Sequence, residues 1–286
     1  MLKNKVPVLI IMAAFVIFGG FFALDSPDVQ SGELVPAVKN KDAVLDFSID
    51  PASEKYSVLS TKSFGWGFKK EKGAAPEIAA ETVDLLDKTN TYYLDKSGGN
   101  SIYLTFDEGY ENGFTGKILD ILKEKNVPAA FFITGPYLQR ESELVDRMVN
   151  EGHIVGNHTV NHPNLAKSDL GTVKSELEEL EKAFYEKYGK SMMYMRPPEG
   201  ECSEKMLSFA GDIGYKTILW SFAYKDWDTK IQKGGRYAFE QVTPYLHDGC
   251  IMLLHAVSSD NAEALAGIID YAREQGYEFK SLDVLK

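Results

Sequence analysis

The stretch TFDEG sets two acidic residues, Asp107 and Glu108, directly after a short strand-like run at residues 101–104. Such a pair at the end of a strand is commonly no more than a solvated turn. It can also do chemistry, because one carboxylate can bind a metal ion while its neighbour accepts a proton. Other residues of the chain have to decide between these two interpretations.

Two histidines supply the next part of a possible site. The stretch NHTVNHP sets His158 and His162 four residues apart, and on a helical turn this spacing puts both imidazoles on one face, where they can bind one metal ion. Two neutral imidazoles and one carboxylate leave a divalent ion with positive charge and an open position. A water bound there has its pKa lowered toward about 7 and can attack a carbonyl group.

Such a hydrolysis also needs a base for the proton of the water and an acid for the leaving group. The member of the acidic pair that does not bind the metal can serve as the base. His255, in the stretch LLHAV, can serve as the acid. The residues therefore predict metal-assisted hydrolysis with two proton-transfer groups.

Seven short apolar or β-branched runs alternate with amphipathic stretches from residue 101 onward. The predicted strands cover residues 101–106, 129–134, 153–157, 192–196, 215–221, 250–255 and 278–282, and four predicted helices cover residues 113–125, 142–151, 169–187 and 261–275. This alternation predicts an α/β fold with parallel strands, either an incomplete barrel or an open doubly wound sheet. In both folds functional groups collect at the carboxyl ends of the strands. The residues expected there are Asp107, Glu108, His158, His162, Arg196, Asp226 and His255.

The composition is typical of a large globular domain and argues against a nucleic-acid partner. The 286 residues suffice for one large domain or two small ones. The formal net charge of −11 opposes binding to a phosphate backbone. Cys202 and Cys250 are too few for a disulfide framework, and we predict buried thiols rather than a disulfide between them.

The N-terminus predicts a membrane segment. Residues 6–24 carry no charge and follow Lys3 and Lys5, and as a helix they would span about 28 Å, close to the thickness of a hydrocarbon core. A cleaved signal peptide and an uncleaved anchor are both possible, and bulky Phe21 and Phe22 favour the anchor. We therefore expect an anchor at residues 1–24, a spacer at 25–60 and an extracytoplasmic catalytic domain at 61–286, with a helix at 74–86.

Five motifs occur in an order that matches a known family. TFDEG, HTVNHP, RPPEG, KDW and LLH follow one another between about residues 102 and 282. In this order they resemble the polysaccharide deacetylases, carbohydrate esterase family 4, which are distorted (β/α)7 barrels that hydrolyse acetyl groups on sugar polymers. The stretches WGF, YLTFDEGYENG, GHIVGNHTVNHP, MRPPEG and LLHAVSSDNAEAL extend the resemblance to residues 63–285. They are most similar to the muramic de-N-acetylases that form the δ-lactam of spore-cortex peptidoglycan.

The resemblance implies a role for each rim residue. Asp107 is expected to be the base, and His255 the acid, with Asp226 holding its other ring nitrogen. Glu108, His158 and His162 are expected to bind a divalent metal, with zinc first and cobalt or manganese as alternatives. Arg196 is expected near the sugar, where its guanidinium could pair with Asp107 or with a substrate carboxylate. Further substrate contacts are expected from Glu199, whose turn offers N–H groups to an oxyanion, and from Trp227.

Two departures from the family pattern concern the metal and the sugar wall. The family commonly has Asp at the position of Glu108 and Tyr at the position of Glu199. We expect a monomeric N-deacetylase acting on N-acetylmuramic acid in peptidoglycan glycan strands. The alternatives are a deacetylase of N-acetylglucosamine or of another polysaccharide, and a carbohydrate-binding barrel without activity.

Overall fold

The structure, a computed structural model, describes residues 44–285. Its strands are β1 (Phe64–Gly65), β2 (Thr91–Tyr92), β3 (Ser101–Glu108), β4 (Ala129–Ile133), β5 (Ile154–Asn157), β6 (Tyr194–Met195), β7 (Glu201–Cys202), β8 (Lys216–Ile218), β9 (Cys250–His255) and β10 (Glu278–Phe279). Its helices are α1 (Ala80–Lys88), α2 (Thr115–Lys125), α3 (Gly135–Arg140), α4 (Ser142–Asn150), α5 (Leu170–Tyr188), α6 (Glu204–Ile213), α7 (Gly235–Val242) and α8 (Ser259–Glu274).

The strands form a parallel sheet that curls on itself. Strand β9 pairs with β3, and β3, β4, β5, β6 and β8 follow in order, all parallel. Beyond β8 the chain turns back to β9, since the amide of Ser221 donates to the carbonyl of Ile251 (3.0 Å) and that of Leu253 to Phe222 (2.9 Å). The sheet is therefore a curled barrel-like structure rather than an open doubly wound sheet.

The strand sequences explain why the sheet is covered on both faces. Every residue of β4 is buried, as are seven of the eight residues of β3, because one face meets the barrel interior and the other meets helices. Tyr103, Phe132 and Ile251 belong to the cluster that fills the interior. The larger apolar cluster lies between the strands and helices such as α2 and α8. Continuous apolar runs, rather than alternating ones, are what this arrangement requires.

Most predicted elements are confirmed. All seven predicted strands exist, and the four predicted helices match α2, α4, α5 and α8 to within two residues at each end. The helix expected at 74–86 begins later, at Ala80. Helices α3, α6 and α7 had not been predicted. Cys202 and Cys250 are buried free thiols, as expected.

The described part of the predicted spacer packs against the domain. Tyr56 is buried and its hydroxyl donates to Asp212 (2.7 Å), and the amide of Asp46 donates to the carbonyl of Ile213 (2.7 Å). The packed structure therefore begins well before the predicted boundary at residue 61. The predicted anchor at 1–24 and the spacer up to residue 43 lie outside the described residues. Among the helices between residues 44 and 285, none has both the length and the apolar character needed to cross a membrane.

Candidate active site

A groove of about 1260 Å³ opens where the parallel strands end. The rule that functional groups collect at the carboxyl ends of strands is thus obeyed. Six of the residues predicted from the sequence line the groove. The lining includes Asp107, His158, His162, Glu199, Trp227 and His255.

Asp107 is held by a buried arginine. Nη1 of Arg196 donates to Oδ1 of Asp107 at 2.7 Å, and Oδ2 lies 3.6 Å from Nε2 of His158. Burial opposes ionisation of Asp107, but the positive charge of Arg196 outweighs it and keeps the pKa of Asp107 below its usual value. Asp107 is therefore a charged carboxylate with one oxygen left for a proton.

The guanidinium of Arg196 makes its hydrogen bonds within the protein. It is completely buried, and besides Asp107 it donates to the carbonyl oxygen of Ile218 (2.9 Å) and the hydroxyl of Thr105 (2.9 Å). Its planar group stacks 4.2 Å from the ring centre of Phe132. Of the two partners that the sequence left open, Arg196 thus pairs with Asp107. It is not placed to meet a substrate carboxylate.

Phe132, the platform under Arg196, depends on a glycine. A Cβ atom at Gly156 on the neighbouring strand β5 would lie 2.5 Å from the Phe132 ring, closer than real Cβ contacts allow. The ring therefore takes its position only because residue 156 has no side chain. The packing of β4 against β5 positions the Phe132 ring, and the ring positions the Arg196 guanidinium. Together they fix the orientation of the Asp107 side chain.

On the neighbouring strand, His255 ends β9 and is held by Asp226. Nδ1 of His255 donates to Oδ1 of Asp226 at 2.8 Å, and Oδ2 accepts from the backbone amide of His255 (2.8 Å) and the side-chain amide of Asn261 (2.6 Å). Burial lowers the pKa of His255, but the Asp226 carboxylate outweighs it and raises that pKa above its usual value. The imidazole can thus carry a proton and present Nε2 to the groove. Asn261 had been missed, although it lies in the motif that follows LLH.

The acid and the base lie side by side at the ends of two neighbouring strands. Asp107 and His255 are register partners in the parallel pair β3–β9. Neighbouring strands lie about 4.8 Å apart. The two predicted proton-transfer groups are therefore brought together at one point of the rim.

His158 and His162 meet through a loop rather than a helical turn. Thr159 and His162 have left-handed backbone angles (φ 69° and 57°), and the amide of His162 donates to the hydroxyl of Thr159 at 2.9 Å. The two rings lie 4.9 Å apart, nearly perpendicular. Nδ1 of His158 donates to the carbonyl oxygen of Arg196 at 2.8 Å, and burial lowers the pKa of His158 to about 4, so this imidazole is neutral.

Glu108 does not join these histidines, which corrects the predicted ligand set. Residues 107 and 108 both belong to strand β3, and successive side chains of a strand point to opposite faces. Asp107 lines the groove, so Glu108 lies on the helix side, completely buried, with no hydrogen-bond partner for either carboxylate oxygen in the described part of the chain. Within residues 44–285 no three His, Cys, Asp or Glu side chains are arranged to hold a metal ion. Glu108, His158 and His162 therefore do not together form a site for the divalent metal ion predicted from the sequence.

The surroundings of Glu108 disfavour a charged carboxylate. Burial, followed by Glu111 and Asp107, raises the pKa of Glu108 well above its usual value. Glu111 accepts from the amides of Phe114 (2.8 Å) and Thr115 (3.3 Å) at the start of α2, and from the hydroxyl of Tyr137 (3.2 Å). The helix side of the β3 end is thus a structural polar cluster.

The groove walls carry exposed aromatic side chains. Trp227 is 52% exposed and its ring lies 5.8 Å from His255, which suits the predicted sugar-stacking role. Tyr110, just after TFDEG, is 54% exposed on the same groove and had not been predicted. Glu199 lies exposed in the RPPEG turn with φ 59°. Rings of this kind are suitable platforms for the apolar faces of sugars.

Comparisons with known proteins agree with these features. A polysaccharide deacetylase family model matches residues 95–218. The chain is 42% identical to the peptidoglycan-N-acetylmuramic acid deacetylase PdaA of Bacillus subtilis over 79% of this chain and 87% of that protein. It is 45% identical to an uncharacterised 30.6 kDa protein of Geobacillus stearothermophilus, over 80% of this chain and 87% of that one.

The fold agrees as well. The solved structure of Bacillus subtilis PdaA, a family 4 carbohydrate esterase, matches with a TM-score of 0.77 at 41% identity, covering 79% of this chain and 98% of that one. This chain therefore combines the five motifs, the parallel barrel-like sheet and the pair Asp107 and His255. The chain belongs to the polysaccharide deacetylases of carbohydrate esterase family 4.

Proposed function

We propose that this chain is a peptidoglycan N-deacetylase that hydrolyses the acetamido group of N-acetylmuramic acid residues. Its 42% identity to a deacetylase named for that sugar supports the substrate. The chemistry rests on one observation, the register that sets Asp107 beside His255 at the head of the groove. A base and an acid one strand apart are the two groups that amide hydrolysis needs.

In the first step, water attacks the carbonyl carbon of the acetamido group. A new C–O bond forms, the π electrons of the carbonyl move onto its oxygen, and one proton of the water goes to Oδ2 of Asp107. Oδ1 stays hydrogen-bonded to Arg196, which keeps the carboxylate in place. We propose that backbone N–H groups of the Glu199 turn stabilise the developing oxyanion.

In the second step, the tetrahedral intermediate collapses and the C–N bond breaks. The electron pair stays on the nitrogen, which takes a proton from Nε2 of His255. Asp226 holds Nδ1 and stabilises the protonated ring before transfer. Acetic acid and a free sugar amine result, the acid loses its proton to solvent to become acetate, and solvent carries the proton of Asp107 back to His255.

The family resemblance also implies a divalent metal, zinc before cobalt or manganese. When bound, such an ion polarises the carbonyl group and activates water. Of the predicted ligands, His158 and His162 are neighbours in the groove, whereas Glu108 is on the other face of β3. Both proton transfers use residues of the chain alone.

The setting of the reaction is also proposed. A free amine on muramic acid can close onto the lactyl carboxyl of the same sugar, which gives the δ-lactam of spore cortex. Peptidoglycan lies outside the cell membrane, so we propose an extracytoplasmic, monomeric enzyme. Anchoring through residues 1–24 belongs to the same proposal.

The test is incubation of the full-length protein with defined muropeptides, followed by mass spectrometry. We expect loss of one acetyl group from muramic acid, and of a further water where the lactam closes. An Asp107→Asn variant serves as the inactive control. Acetyl loss from N-acetylglucosamine alone would favour the glucosamine alternative, and no loss from any glycan would favour a binding barrel.

A further inference from the structure

A lysine that the motifs do not include lines the groove without an acidic partner. Lys70 follows the WGF stretch and contributes to the groove wall. Its ammonium group lies 4.7 Å from the ring centre of Tyr245 and 5.1 Å from that of Phe222. Within residues 44–285 no carboxylate lies within 4.0 Å of Lys70 Nζ, although the chain as a whole is acidic.

The surroundings of Lys70 make it a better anion receptor than its neighbours. It is partly buried, and this burial lowers the pKa of its ammonium group. The aromatic rings hold the charge in place and take the position of part of its water shell. Lys225 also lines the groove, but it is 62% exposed and lies 3.9 Å from Asp228. An anion gains more from a cation that is partly dehydrated and already positioned.

A muramic acid substrate needs such a receptor. Muramic acid differs from glucosamine by a lactyl ether, which bears a carboxylate when no stem peptide is attached. Arg196 had been the candidate for this carboxylate, but all of its contacts lie within the protein. That leaves Lys70 as the partly buried cation of the described groove wall that is free of a carboxylate.

We propose that Lys70 is a specificity-determining residue that pairs with the lactyl carboxylate of the glycan. This inference rests on the proposed function, since it concerns the sugar on which that reaction takes place. Lys70 contributes binding and orientation and takes no part in proton transfer. Loss of its charge should therefore appear in KM and leave kcat nearly unchanged.

The experiment compares two muramyl glycans that differ only in charge, one with a free lactyl carboxylate and one with its methyl ester. Three variants are assayed beside the wild type: Lys70→Met, Lys70→Arg and Lys69→Met. Lys69→Met is the matched control, because Lys69 is adjacent and equally charged but 90% exposed and paired with Glu71 at 3.4 Å. Melting temperatures verify that each variant is folded.

We expect Lys70→Met to lower kcat/KM on the free carboxylate by about 10-fold and to leave the ester unaffected. Lys70→Arg should keep most of the preference, and Lys69→Met should behave like the wild type. An equal loss on both glycans, or no loss on either, would overturn the assignment.

A binding measurement separates this proposal from the proposed function. In an Asp107→Asn background, calorimetry should give a Kd for the free carboxylate about 10-fold weaker when Lys70 is also changed to Met. Wild-type protein that turns over neither glycan would refute the proposed function. The difference in Kd would still decide whether Lys70 binds the carboxylate.

Discussion

The two faces at the end of strand β3 carry neighbouring acidic residues with opposite surroundings. On the groove face, Asp107 meets the guanidinium of Arg196 and the ring of His158. On the helix face, Glu108 has no hydrogen-bond partner among the described residues, and Glu111 is one of the charges that act on it. The pKa of Asp107 is lowered and that of Glu108 is raised, although burial opposes ionisation of both.

The partners of each carboxyl group, and not the residue type, therefore decide which acid can take part in catalysis. Burial acts on both carboxyls in the same direction, because it disfavours the charged form. Only the groove face supplies a buried cation that reverses the effect. We therefore expect changes on the groove face to affect turnover and changes on the helix face to affect stability alone.

The largest effect is expected from Asp107→Asn. The amide keeps the size and can still accept a hydrogen bond from Arg196, but it cannot take a proton from water. Turnover should fall by about 100-fold or more, in line with the contribution of a general base. Steady-state kinetics on a muramyl glycan measure this, with circular dichroism as a check of folding. Near-normal turnover would mean that Asp107 is not the base. The contrast between the two faces at the end of β3 would then fail as well.

Arg196→Met tests the partner that distinguishes the groove face. The substitution keeps an apolar stem but leaves Asp107 without its buried counter-charge, and it frees the carbonyl oxygen of Ile218. The free energy of unfolding should fall by about 3–5 kcal/mol, as when one partner of a buried ion pair is removed. Urea denaturation measures this loss, and turnover should fall as well. A stable and active variant would mean that Asp107 needs no cation to stay charged.

Glu111→Ala should cost stability without a loss of activity. Glu111 accepts from the amides of Phe114 and Thr115 at the start of α2, so its removal leaves those donors without their acceptor. We expect a loss of about 1–2 kcal/mol, as for other helix caps, and kcat within about twofold of the wild type. Thermal unfolding and kinetics on the same preparation measure both. A large fall in kcat would mean that the helix face contributes to the reaction.

Glu108→Gln should have the smallest effect. Since Glu108 is buried away from the groove, turnover and bound divalent metal should match the wild type within about twofold. Elemental analysis of the purified protein, before and after chelation, measures the metal.

Glu108→Met tests the effect of Glu108 on stability, and Glu108→Gln tests its part in metal binding. Glu108→Met removes two buried oxygens without partners and should raise the free energy of unfolding by about 1 kcal/mol. Parallel losses of metal and activity in Glu108→Gln would restore Glu108 as a ligand. They would require its side chain to reach the groove in the working enzyme.

Much of the site could be read from local patterns. Apolar runs separated by amphipathic stretches predict parallel strands, and residues just after those runs fall on one rim. Asp107, His158, His162 and His255 were found in this way, and the structure brings them to one groove. Such features depend on nearby residues, which is why a sequence reveals them.

Other features depend on contacts between distant parts of the chain. The donors of Arg196 end on the carbonyl oxygen of Ile218 and the hydroxyl of Thr105. Tyr56 was assigned to a spacer, yet it is buried because Asp212 and the ring of Phe209 (5.2 Å) receive it. None of these partners is close in sequence.

Glu108 shows most clearly which features local residues determine and which depend on contacts between distant residues. The apolar run ends at Phe106, so the sequence suggested that both acids lie at the rim just after the strand, where Glu108 binds a metal ion and Asp107 takes a proton. In the structure, β4 pairs with β3 as far as Glu108 and Ile133, and this pairing extends the pleat through the acidic pair. Because a pleated strand sends successive side chains to opposite faces, the two acids are separated. Local residue types put the pair at the rim, and pairing with a strand 25 residues away determines which acid faces the groove.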